Sequence, residues 1–427
     1  MAEQKVISPA RNISGLIHLL GDKSISHRYA MLAAIAEGTT RLENFSTGAD
    51  CSSTLNCVRA LGIDWERSGN VVTIRGRGAK LQRPAAPLDC GNSCSSKRML
   101  SGILAGQDFS SELVGDGSLS QRPMGRVIAP LEAMGAKISA ADGTHAPLRI
   151  TGGNLKAIDY KIPVASAQVK SAVLFAGLFA EGETRVKEPV RTRDHGELAL
   201  RAFGAEVGSR VGGASIVGGQ QLHGLEATIP GDLSSAAFFM CAAALFPDSQ
   251  LTISGLGLNP TRSSLLDLLA GMGVRISITQ LEEHHEELTG TVQVRGGELR
   301  GTVIGSPLTE TLIDEIPVLA AIAPYTETGI EIRDARELRI KESDRIAAVA
   351  ANLRAMGAEV DEREDGLIIP GKQRLHGAEI DSFGDHRIAM AFAVGALRAE
   401  GQTTIKGSDA AIISFPEFFE TLASVVQ

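Results

Sequence analysis

The sequence has 427 residues, with 42 Lys and Arg against 50 Asp and Glu and a net charge of −8 at pH 7. This balance argues against a nucleic-acid binder that relies on bulk positive charge, because phosphate contacts need many Lys and Arg. The five cysteines lack metal-ligand spacing, so we expect reduced thiols and no metal. No apolar run reaches about 18 residues, and the start lacks a signal peptide's apolar core. We therefore expect a soluble cytoplasmic protein without membrane association.

Six segments along the chain open on a short polar cluster, run into an apolar stretch and mostly close near Gly. They are GDKSISHRYAMLAAIAEG from Gly21, GNSCSSKRMLSGILAG from Gly91, VASAQVKSAVLFAGLFAEG from Val164, GDLSSAAFFMCAAAL from Gly231, LIDEIPVLAAIAP from Leu312 and FGDHRIAMAFAVGALRAEG from Phe383. Because Asp, Asn and Ser accept hydrogen bonds from free N–H groups, the openers predict helix N-caps. These caps are Asp22, Asn92, Ser166, Asp232, Asp314 and Asp385. The helices are apolar nearly all round, so we expect them to be buried.

A second series of segments runs out of phase with the first and predicts amphipathic helices that stop at Gly. The segments are CVRALGIDW, LEAMGAKI, LRAFGAEV, LLAGMGVRI and LRAMGAEV, with glycines at 62, 135, 204, 273 and 357. Strand-like stretches follow, among them AKISA, AEVGSR, VRISITQ and AEVDERE, and β-branched pieces such as VVTIRG and GLIIPG complete each unit. A repeat of this length is one supersecondary unit, so the pattern predicts α/β layers with helices packed inside sheets.

Six units divide naturally into two lobes of three. We place the connections near Leu20–Gly21 and Pro230–Gly231, which gives one lobe over 21–230 and a second lobe from 1–20 plus 231–427. This division requires the N-terminal strand to pair with the fourth unit onward.

Basic residues cluster where the predicted helices begin. Such residues are electrostatically costly beside a helix N-terminus unless an anion is bound, since that end carries about half a positive charge and free N–H donors. The pattern therefore predicts a site for phosphate and carboxylate groups, and solvated surface charge is the alternative. The cations are Lys23, Arg28, Lys97, Arg98, Arg122, Lys170, Arg193, Lys341, Arg345 and Arg387. The run EEHHEE at 282–287 is interpreted as a solvated loop rather than a metal site.

The motifs GDKSISHR, GNSxxxxR, SQRPMG, ASAQVKSA, TRDH, LIDEIP, IKESDR, GDHRIAM and SFPEFF, in this order, span the whole chain. Together they resemble the enolpyruvyl transferases, and most closely the 5-enolpyruvylshikimate-3-phosphate synthase branch of that family in its second sequence form. The resemblance implies a two-lobed, inside-out α/β barrel of six βαβαββ units, three to a lobe.

The resemblance also implies transfer of the enolpyruvyl group of phosphoenolpyruvate to the 5-hydroxyl of shikimate 3-phosphate, with release of phosphate, by a monomer without a cofactor. By motif position, shikimate 3-phosphate is assigned to Lys23, Ser24, Arg28, Ser166, Ala167, Gln168, Arg193, Asp314 and Lys341. Phosphoenolpyruvate is assigned to Lys23, Asn92, Cys94, Arg122, Gln168, Arg345 and Arg387. Among the catalytic residues, Asp314 takes the hydroxyl proton, Lys341 and Glu342 protonate the methylene carbon and the departing phosphate, and Lys23 lies near both substrates.

Three positions depart from the family pattern. Cys94 stands where Gly or Ala is usual, Lys97 replaces an apolar or small residue, and Leu20 replaces Pro. Because the inhibitor glyphosate is longer than phosphoenolpyruvate, the added bulk of Cys94 predicts a glyphosate-insensitive enzyme. The alternative is that Cys94 points away and affects neither ligand.

Two other functions remain open on the sequence. A UDP-N-acetylglucosamine enolpyruvyl transferase shares the fold, and Asp116 in the loop GDGSLSQRP is available for the acidic role used there. A specialised enolpyruvyl transferase with another acceptor, or a non-catalytic binding protein on the same scaffold, is the second alternative.

Overall fold

The structure of the protein, a computed structural model, describes residues 3–210 and 212–427; residues 1, 2 and 211, which the predicted lobes include, lie outside the described residues. The chain divides into two compact units. Unit 1 comprises Met1–Leu20, Pro230–Glu283 and Leu288–Gln427, and unit 2 comprises Gly21–Ile229 and His284–Glu287. The predicted lobe boundaries stay a prediction, and the units differ from them at Pro230 and at His284–Glu287.

Short strands make up the sheets of both units. The strands of the first half of the chain are β1 (Gln4–Ile7), β2 (Ser14–His18), β3 (Glu37–Glu43), β4 (Asp64–Ser68), β5 (Val71–Arg77), β6 (Leu88–Asp89), β7 (Ser110–Val114), β8 (Lys137–Ala141), β9 (His145–Thr151), β10 (Leu155–Lys156), β11 (Asp159–Lys161), β12 (Ala180–Glu181) and β13 (Glu183–Lys187). Those of the second half are β14 (Val207–Arg210), β15 (Gly213–Val217), β16 (Glu226–Thr228), β17 (Gln250–Gly257), β18 (Arg275–His284), β19 (Glu287–Arg295), β20 (Thr302–Ile304), β21 (Ile330–Ile332), β22 (Asp361–Arg363), β23 (Gly366–Ile369), β24 (Glu379–Asp381) and β25 (Thr403–Lys406).

The helices alternate with these strands. They are α1 (Lys23–Ile35), α2 (Ala49–Ala60), α3 (Cys94–Ala105), α4 (Gly117–Ser120), α5 (Gly125–Ala133), α6 (Ala167–Gly177), α7 (His195–Ala202), α8 (Leu233–Ala244), α9 (Ser264–Gly271), α10 (Leu308–Thr311), α11 (Ile316–Ile322), α12 (Arg345–Ala355), α13 (His386–Ala396) and α14 (Phe418–Val425). Short 3₁₀ turns follow at Ala323–Tyr325, Arg336–Ile340 and Ser408–Ile413. No helix in the described part of the chain is long and apolar enough to cross a membrane.

Four-stranded sheets of one pattern recur through both units and confirm the predicted repeat. In unit 2 the strand orders are β16-β3-β5-β4, β6-β7-β9-β8 and β11-β13-β15-β14, each with a parallel pair at one edge followed by antiparallel pairs. In unit 1 the orders are β20-β21-β23-β22 and β18-β19-β17-β2, and the last repeat has the order β1-β25-β24. The same strand pattern therefore occurs in five four-stranded sheets, and the last repeat has one strand fewer.

Two strands lie in the sheet of a distant repeat rather than beside their neighbours in sequence. Strand β2 immediately precedes α1, yet it pairs in parallel with β17 of unit 1, with Ser14 opposite Gln250. Strand β16 precedes α8, yet it pairs in parallel with β3 of unit 2, with Glu226 opposite Arg41. The N-terminal strand therefore pairs with the fourth repeat, as the sequence division requires.

Four of the six predicted N-caps are confirmed. The side chains of Asp22, Ser166, Asp232 and Asp385 accept backbone N–H bonds at the starts of α1, α6, α8 and α13. The prediction is wrong at Asn92, because Ser93 caps α3 and leaves the Asn92 amide to contact other side chains. It is also wrong at Asp314, since α11 begins after Glu315 with no side-chain cap.

The buried helices of unit 2 approach one another closely because small residues line their contacts. A side chain at Gly102 of α3 would place its Cβ 2.1 Å from the carbonyl oxygen of Ala172 in α6, so only Gly fits there. Both helices are buried almost throughout, as predicted. The amphipathic helices also end as predicted, with positive φ at the five glycines 62, 135, 204, 273 and 357.

Candidate active site

The start of α1 holds the first predicted ligand, Lys23, in a defined position. Its Nζ lies 3.0 Å from Asp50 Oδ2, and the Lys23 and Asp50 side chains are 16% and 7% exposed. Asp50 is in the first turn of α2, so the ion pair joins the starts of two helices. An ion pair this well shielded keeps the ammonium group in one place while leaving it partly accessible to an anion.

Arg28 lies deeper on α1 and is held by two hydrogen bonds of 3.1 Å or less. Its Nε donates to Ser171 Oγ at 3.1 Å and its Nη1 donates to the Ser24 carbonyl at 2.8 Å. Burial lowers the pKa of Arg28 to about 10, with Glu197 and Asp22 opposing the shift and Arg193 adding to it. The Arg28 and Arg193 charges thus repel each other, and a bound dianion would relieve that repulsion.

The third opener contributes Gln168, which is tied to the second opener. Gln168 Oε1 accepts from Arg98 Nη1 at 3.0 Å, and its Nε2 donates to Ser95 Oγ at 2.8 Å. Arg98 also donates to the Pro123 carbonyl, next to Arg122. The predicted ligands Ser166, Ala167 and Gln168 are half-buried around the start of α6.

Lys170 does not belong to the predicted anion site. Its side chain is 1% exposed, and its Nζ lies 2.9 Å from Glu188 Oε2 and 2.8 Å from Glu197 Oε1. Burial raises the pKa of Glu197, and the Lys170 ammonium opposes that shift. Two carboxylates already neutralise this lysine, so its charge supports the segment between β13 and α7, which carries Arg193.

Asn92 and Arg122 form a second cluster within unit 2. Arg122 Nη2 donates to Asn92 Oδ1 at 2.9 Å, and the Arg122 residue is 6% exposed. Asn92 Nδ2 in turn donates to Asp116 Oδ2 at 2.8 Å. These bonds fix the orientation of the Asn92 amide and of the Arg122 guanidinium, whose planar fork suits a carboxylate or phosphate.

The two unusual residues of the GNSCSSKR segment have different environments. Cys94 is the first residue of α3 and is half-buried at the edge of the unit 2 core. Lys97 is fully buried, its Nζ makes no hydrogen bond within the described residues, and burial lowers its pKa. Cys94 is therefore partly accessible to solvent, whereas Lys97 is closed off from it.

Unit 1 carries a cluster of charges around Arg345, the first residue of α12. Its Nε lies 2.8 Å from Asp385 Oδ2 and its Nη2 lies 2.6 Å from Glu342 Oε2, while the Arg345 side chain is 1% exposed. Burial alone would lower the pKa of Arg345, but the carboxylates of Asp385, Glu342 and Asp314 outweigh burial and raise it. Nη1 makes no hydrogen bond within the described residues and lies 3.8 Å from Asp314 Oδ1.

Asp314 faces two arginines. Besides Arg345, it has Arg387 Nη2 at 3.7 Å from its Oδ2, and its carbonyl accepts from Arg387 Nη1 at 2.8 Å. The Asp314 side chain is 19% exposed, so it is accessible to a ligand. The structure therefore brings together Asp314, Glu342, Arg345 and Arg387, while Lys341 precedes Glu342 as the half-buried residue after a 3₁₀ turn.

The predicted residues fall into two sets. Lys23, Ser24, Arg28, Asn92, Cys94, Arg122, Ser166, Ala167, Gln168 and Arg193 lie in unit 2, and Asp314, Lys341, Glu342, Arg345 and Arg387 lie in unit 1. Sequence reasoning missed three residues that orient them: Asp50 on Lys23, Arg98 on Gln168 and Asp385 on Arg345. Asp385 and Arg98 carried a sequence signal as a helix cap and an opener cation, whereas nothing in the spacing pointed to Asp50.

The charged run at 282–287 is not a fully solvated loop. It comprises the end of β18, the turn at 285–286 and the first residue of β19, Glu287, which is 3% exposed. Glu287 Oε1 lies 2.5 Å from Nδ1 of His195, the first residue of α7. The interpretation as a solvated loop is therefore wrong for Glu287, because His195 lies against it.

Each of the two units carries cations that suit anionic ligands. Those at the start of α1 in unit 2, and at the starts of α12 and α13 in unit 1, can hold phosphate and carboxylate groups, and Arg forks fix their orientation. In unit 1, the partly exposed carboxylate of Asp314 beside Arg345 and Arg387 can move a proton.

The sequence matches one known protein family and named proteins along nearly its whole length. The family model for EPSP synthase (3-phosphoshikimate 1-carboxyvinyltransferase) matches residues 7–422. A protein of Koribacter versatilis named 3-phosphoshikimate 1-carboxyvinyltransferase is 60% identical over 99% of this chain and 99% of its own length. One of the same name from Solibacter usitatus is 57% identical over 99% of this chain and 100% of its own.

Two solved structures are similar in fold to this protein along its whole length. The EPSP synthase of Acinetobacter baumannii has a TM-score of 0.88 at 41% identity, covering 100% of this chain and 98% of that one. The enolpyruvyl transferase NikO of Streptomyces tendae, at 21% identity and a TM-score of 0.80 over 100% of this chain and 98% of that one, shows the same fold. These structures confirm the predicted repeated α/β fold.

Proposed function

This chain belongs to the EPSP synthase family, and on that premise we propose that it transfers the enolpyruvyl group of phosphoenolpyruvate to the 5-hydroxyl of shikimate 3-phosphate, giving 5-enolpyruvylshikimate 3-phosphate and phosphate. The observation that carries the proposal is the Asp314–Arg345–Arg387 cluster, in which a partly exposed carboxylate is held between two arginines. Such a cluster can bind an anionic substrate and accept a proton beside it.

In the proposed reaction, the 5-hydroxyl oxygen forms a bond to C2 of phosphoenolpyruvate while Asp314 takes the hydroxyl proton and C3 gains a proton. A C3 proton then leaves and the bond from C2 to the phosphate oxygen breaks, which restores the double bond. Lys341 and Glu342 serve the proton transfers at C3 and at the departing phosphate. Lys23 stabilises charge near both substrates, and Asp50 holds Lys23 in position.

The proposed ligands of the two substrates overlap. Those of shikimate 3-phosphate are Lys23, Ser24, Arg28, Ser166, Ala167, Gln168, Arg193, Asp314 and Lys341, and those of phosphoenolpyruvate are Lys23, Asn92, Cys94, Arg122, Gln168, Arg345 and Arg387. Support for the phosphoenolpyruvate set comes from its fixed guanidinium groups, since Arg122 and Arg345 are both buried and held by hydrogen bonds. Preorganised donors of this kind contribute strongly to binding and catalysis.

Asp116 argues against UDP-N-acetylglucosamine as the acceptor. Its Oδ1 accepts the Leu119 N–H at 2.7 Å as the cap of α4, and its Oδ2 accepts from Asn92. Both oxygens therefore have structural partners.

The choice of acceptor is tested by offering each acceptor with phosphoenolpyruvate and identifying the product by mass spectrometry. We expect an enolpyruvyl product from shikimate 3-phosphate only. An enolpyruvyl product from UDP-N-acetylglucosamine would contradict the proposal.

Cys94 is proposed to make the enzyme insensitive to glyphosate. Its half-buried side chain at the first position of α3 adds bulk where the longer ligand needs space. Steric exclusion discriminates between ligands that differ in length, so Cys94→Gly should lower the inhibition constant for glyphosate by at least about 10-fold while changing the KM for phosphoenolpyruvate little. Competition assays on both proteins measure this difference.

A Cys94→Ala variant provides the matched intermediate, with an inhibition constant between those of Cys and Gly. Inhibition of the unmodified protein at low micromolar glyphosate would refute the steric argument. Equal inhibition constants for the unmodified protein and Cys94→Gly would show that the side chain points away.

That the enzyme is a cytoplasmic monomer stays a prediction.

A further inference from the structure

Four polar side chains form a hydrogen-bonded chain in the interior of unit 2, and each of them is 0% exposed. His27 Nδ1 lies 2.7 Å from Thr54 Oγ1, and Thr54 Oγ1 lies 2.6 Å from Ser96 Oγ. Ser96 Oγ lies 2.7 Å from Ser93 Oγ, which also accepts the Ser96 N–H at 3.1 Å. The chain therefore runs from α1 through α2 to the N-cap of α3.

Geometry fixes the direction of these bonds. Ser96 Oγ donates to Ser93 Oγ, so the single proton of the Thr54 hydroxyl must be donated to Ser96. Thr54 must then accept from His27, which assigns the proton of a neutral imidazole to Nδ1. Burial, followed by the charges of Lys23 and Arg28, lowers the pKa of His27, while Asp22 opposes the shift. A neutral ring is consistent with this tautomer.

Helices α1 and α2 are matched at two levels four residues apart. Lys23 pairs with Asp50 at the partly exposed end, and His27 pairs with Thr54 one turn deeper. Because residues four apart lie on the same face of a helix, one face of α1 is clamped to one face of α2. Thr54 extends the inner level to α3 through Ser96.

The chain ends between two residues of the active site. Ser93 lies between Asn92 and Cys94, both assigned to phosphoenolpyruvate, and Lys23 lies one turn before His27. A buried polar group without a partner is costly, so the bonds among His27 Nδ1 and the three hydroxyls favour one arrangement of the elements they join, while His27 Nε2 makes no hydrogen bond within the described residues. The network thus links the position of the α1 start to that of the α3 start.

We propose that His27 and Thr54 are positioning residues for phosphoenolpyruvate: through Ser96 and Ser93 they set the location of the Asn92–Cys94 segment relative to Lys23. The inference rests on the proposed function, because it needs that segment to contact phosphoenolpyruvate. It extends the site by two residues that touch neither substrate.

The test is Thr54→Val, which removes the hydroxyl at nearly constant shape. We expect the KM for phosphoenolpyruvate to rise about 10-fold or more, with less than a threefold change in kcat and in the Kd for shikimate 3-phosphate measured by calorimetry. Thr54→Ser keeps the hydroxyl and should restore the KM for phosphoenolpyruvate. The matched control is Thr40→Val in β3, since Thr40 is also 0% exposed but its hydroxyl has no hydrogen bond within the described residues.

A merely structural role gives a different result. If Thr54→Val weakens the binding of both substrates equally, or leaves the KM for phosphoenolpyruvate unchanged, the positioning role is wrong. Should Thr54→Val fail to fold, Ser96→Ala interrupts the same chain nearer its end and carries the same expectation. An unmodified protein that does not turn over the two substrates together would refute the proposed function itself, whereas normal turnover with an unaltered Thr54→Val variant refutes the positioning role alone.

Discussion

Replacing Asp314 with alanine is expected to lower kcat by about 10²-fold or more in a protein that stays folded. Asp314 lies 3.8 Å from Arg345 and 3.7 Å from Arg387, and these cations hold its carboxylate in place. The proposed acceptance of the hydroxyl proton by Asp314 takes place in the transition state, so kcat should fall more than substrate affinity. Lys341→Met should give a loss of similar size, because it removes the residue proposed for the other proton transfers.

Steady-state kinetics measure both losses, and calorimetry with shikimate 3-phosphate checks that each variant still binds its acceptor. Glu310→Gln, a change to a half-buried acid of α10 whose side chain accepts from Ser306, is the control and should keep kcat within about threefold. An unchanged kcat in a folded Asp314→Ala protein would rule out the assigned proton transfer.

Replacing Asp385 with alanine should have the largest effect on stability. The change removes the carboxylate that lies 2.8 Å from Arg345 Nε, so that the Arg345 cation, whose side chain is 1% exposed, has one partner fewer. It also removes the N-cap of α13. Breaking a buried ion pair costs about 3–5 kcal/mol, and a lost cap about 1 kcal/mol. We expect the free energy of unfolding to fall by that order and the kcat/KM for phosphoenolpyruvate to fall at least about 10²-fold.

Asp385→Asn separates the two contributions, because Asn retains a cap oxygen for the Arg387 N–H while losing the charge. In urea unfolding, the free energy of unfolding of Asp385→Asn should therefore be about 1 kcal/mol higher than that of Asp385→Ala. Its kcat/KM for phosphoenolpyruvate should stay low. Full activity in Asp385→Asn would mean that the charge of Asp385 does not orient Arg345.

Local rules predicted much of the fold. Helix caps at Asp22, Ser166, Asp232 and Asp385 follow from side-chain oxygens at the start of apolar runs. The rule failed at Asn92, because α3 begins at Cys94, so that Ser93 holds the cap position and the Asn92 amide bonds to Asp116 instead. The pairing of β2 with β17 was required by the division into lobes, whereas the pairing of β16 with β3 joins strands about 185 residues apart and was not predicted by any local pattern.

The candidate site shows the same division. Motifs along the chain identified the cations, since each lies in a recognisable segment. The carboxylates that orient them are set by tertiary packing: Asp50 is 27 residues from Lys23, and Asp385 is 40 residues from Arg345. Lys170 shows the opposite error: it lies in one of the recognisable segments and was predicted to belong to the anion site, but tertiary packing pairs it with Glu188 and Glu197.

Release of phosphate by the purified protein tests the central claim most directly. Shikimate 3-phosphate and phosphoenolpyruvate are supplied together and each alone, and free phosphate is followed over time. The account predicts release only when both are present, with one 5-enolpyruvylshikimate 3-phosphate formed for each phosphate. Absence of release from a folded protein given both substrates, or equal release from phosphoenolpyruvate alone, would contradict it.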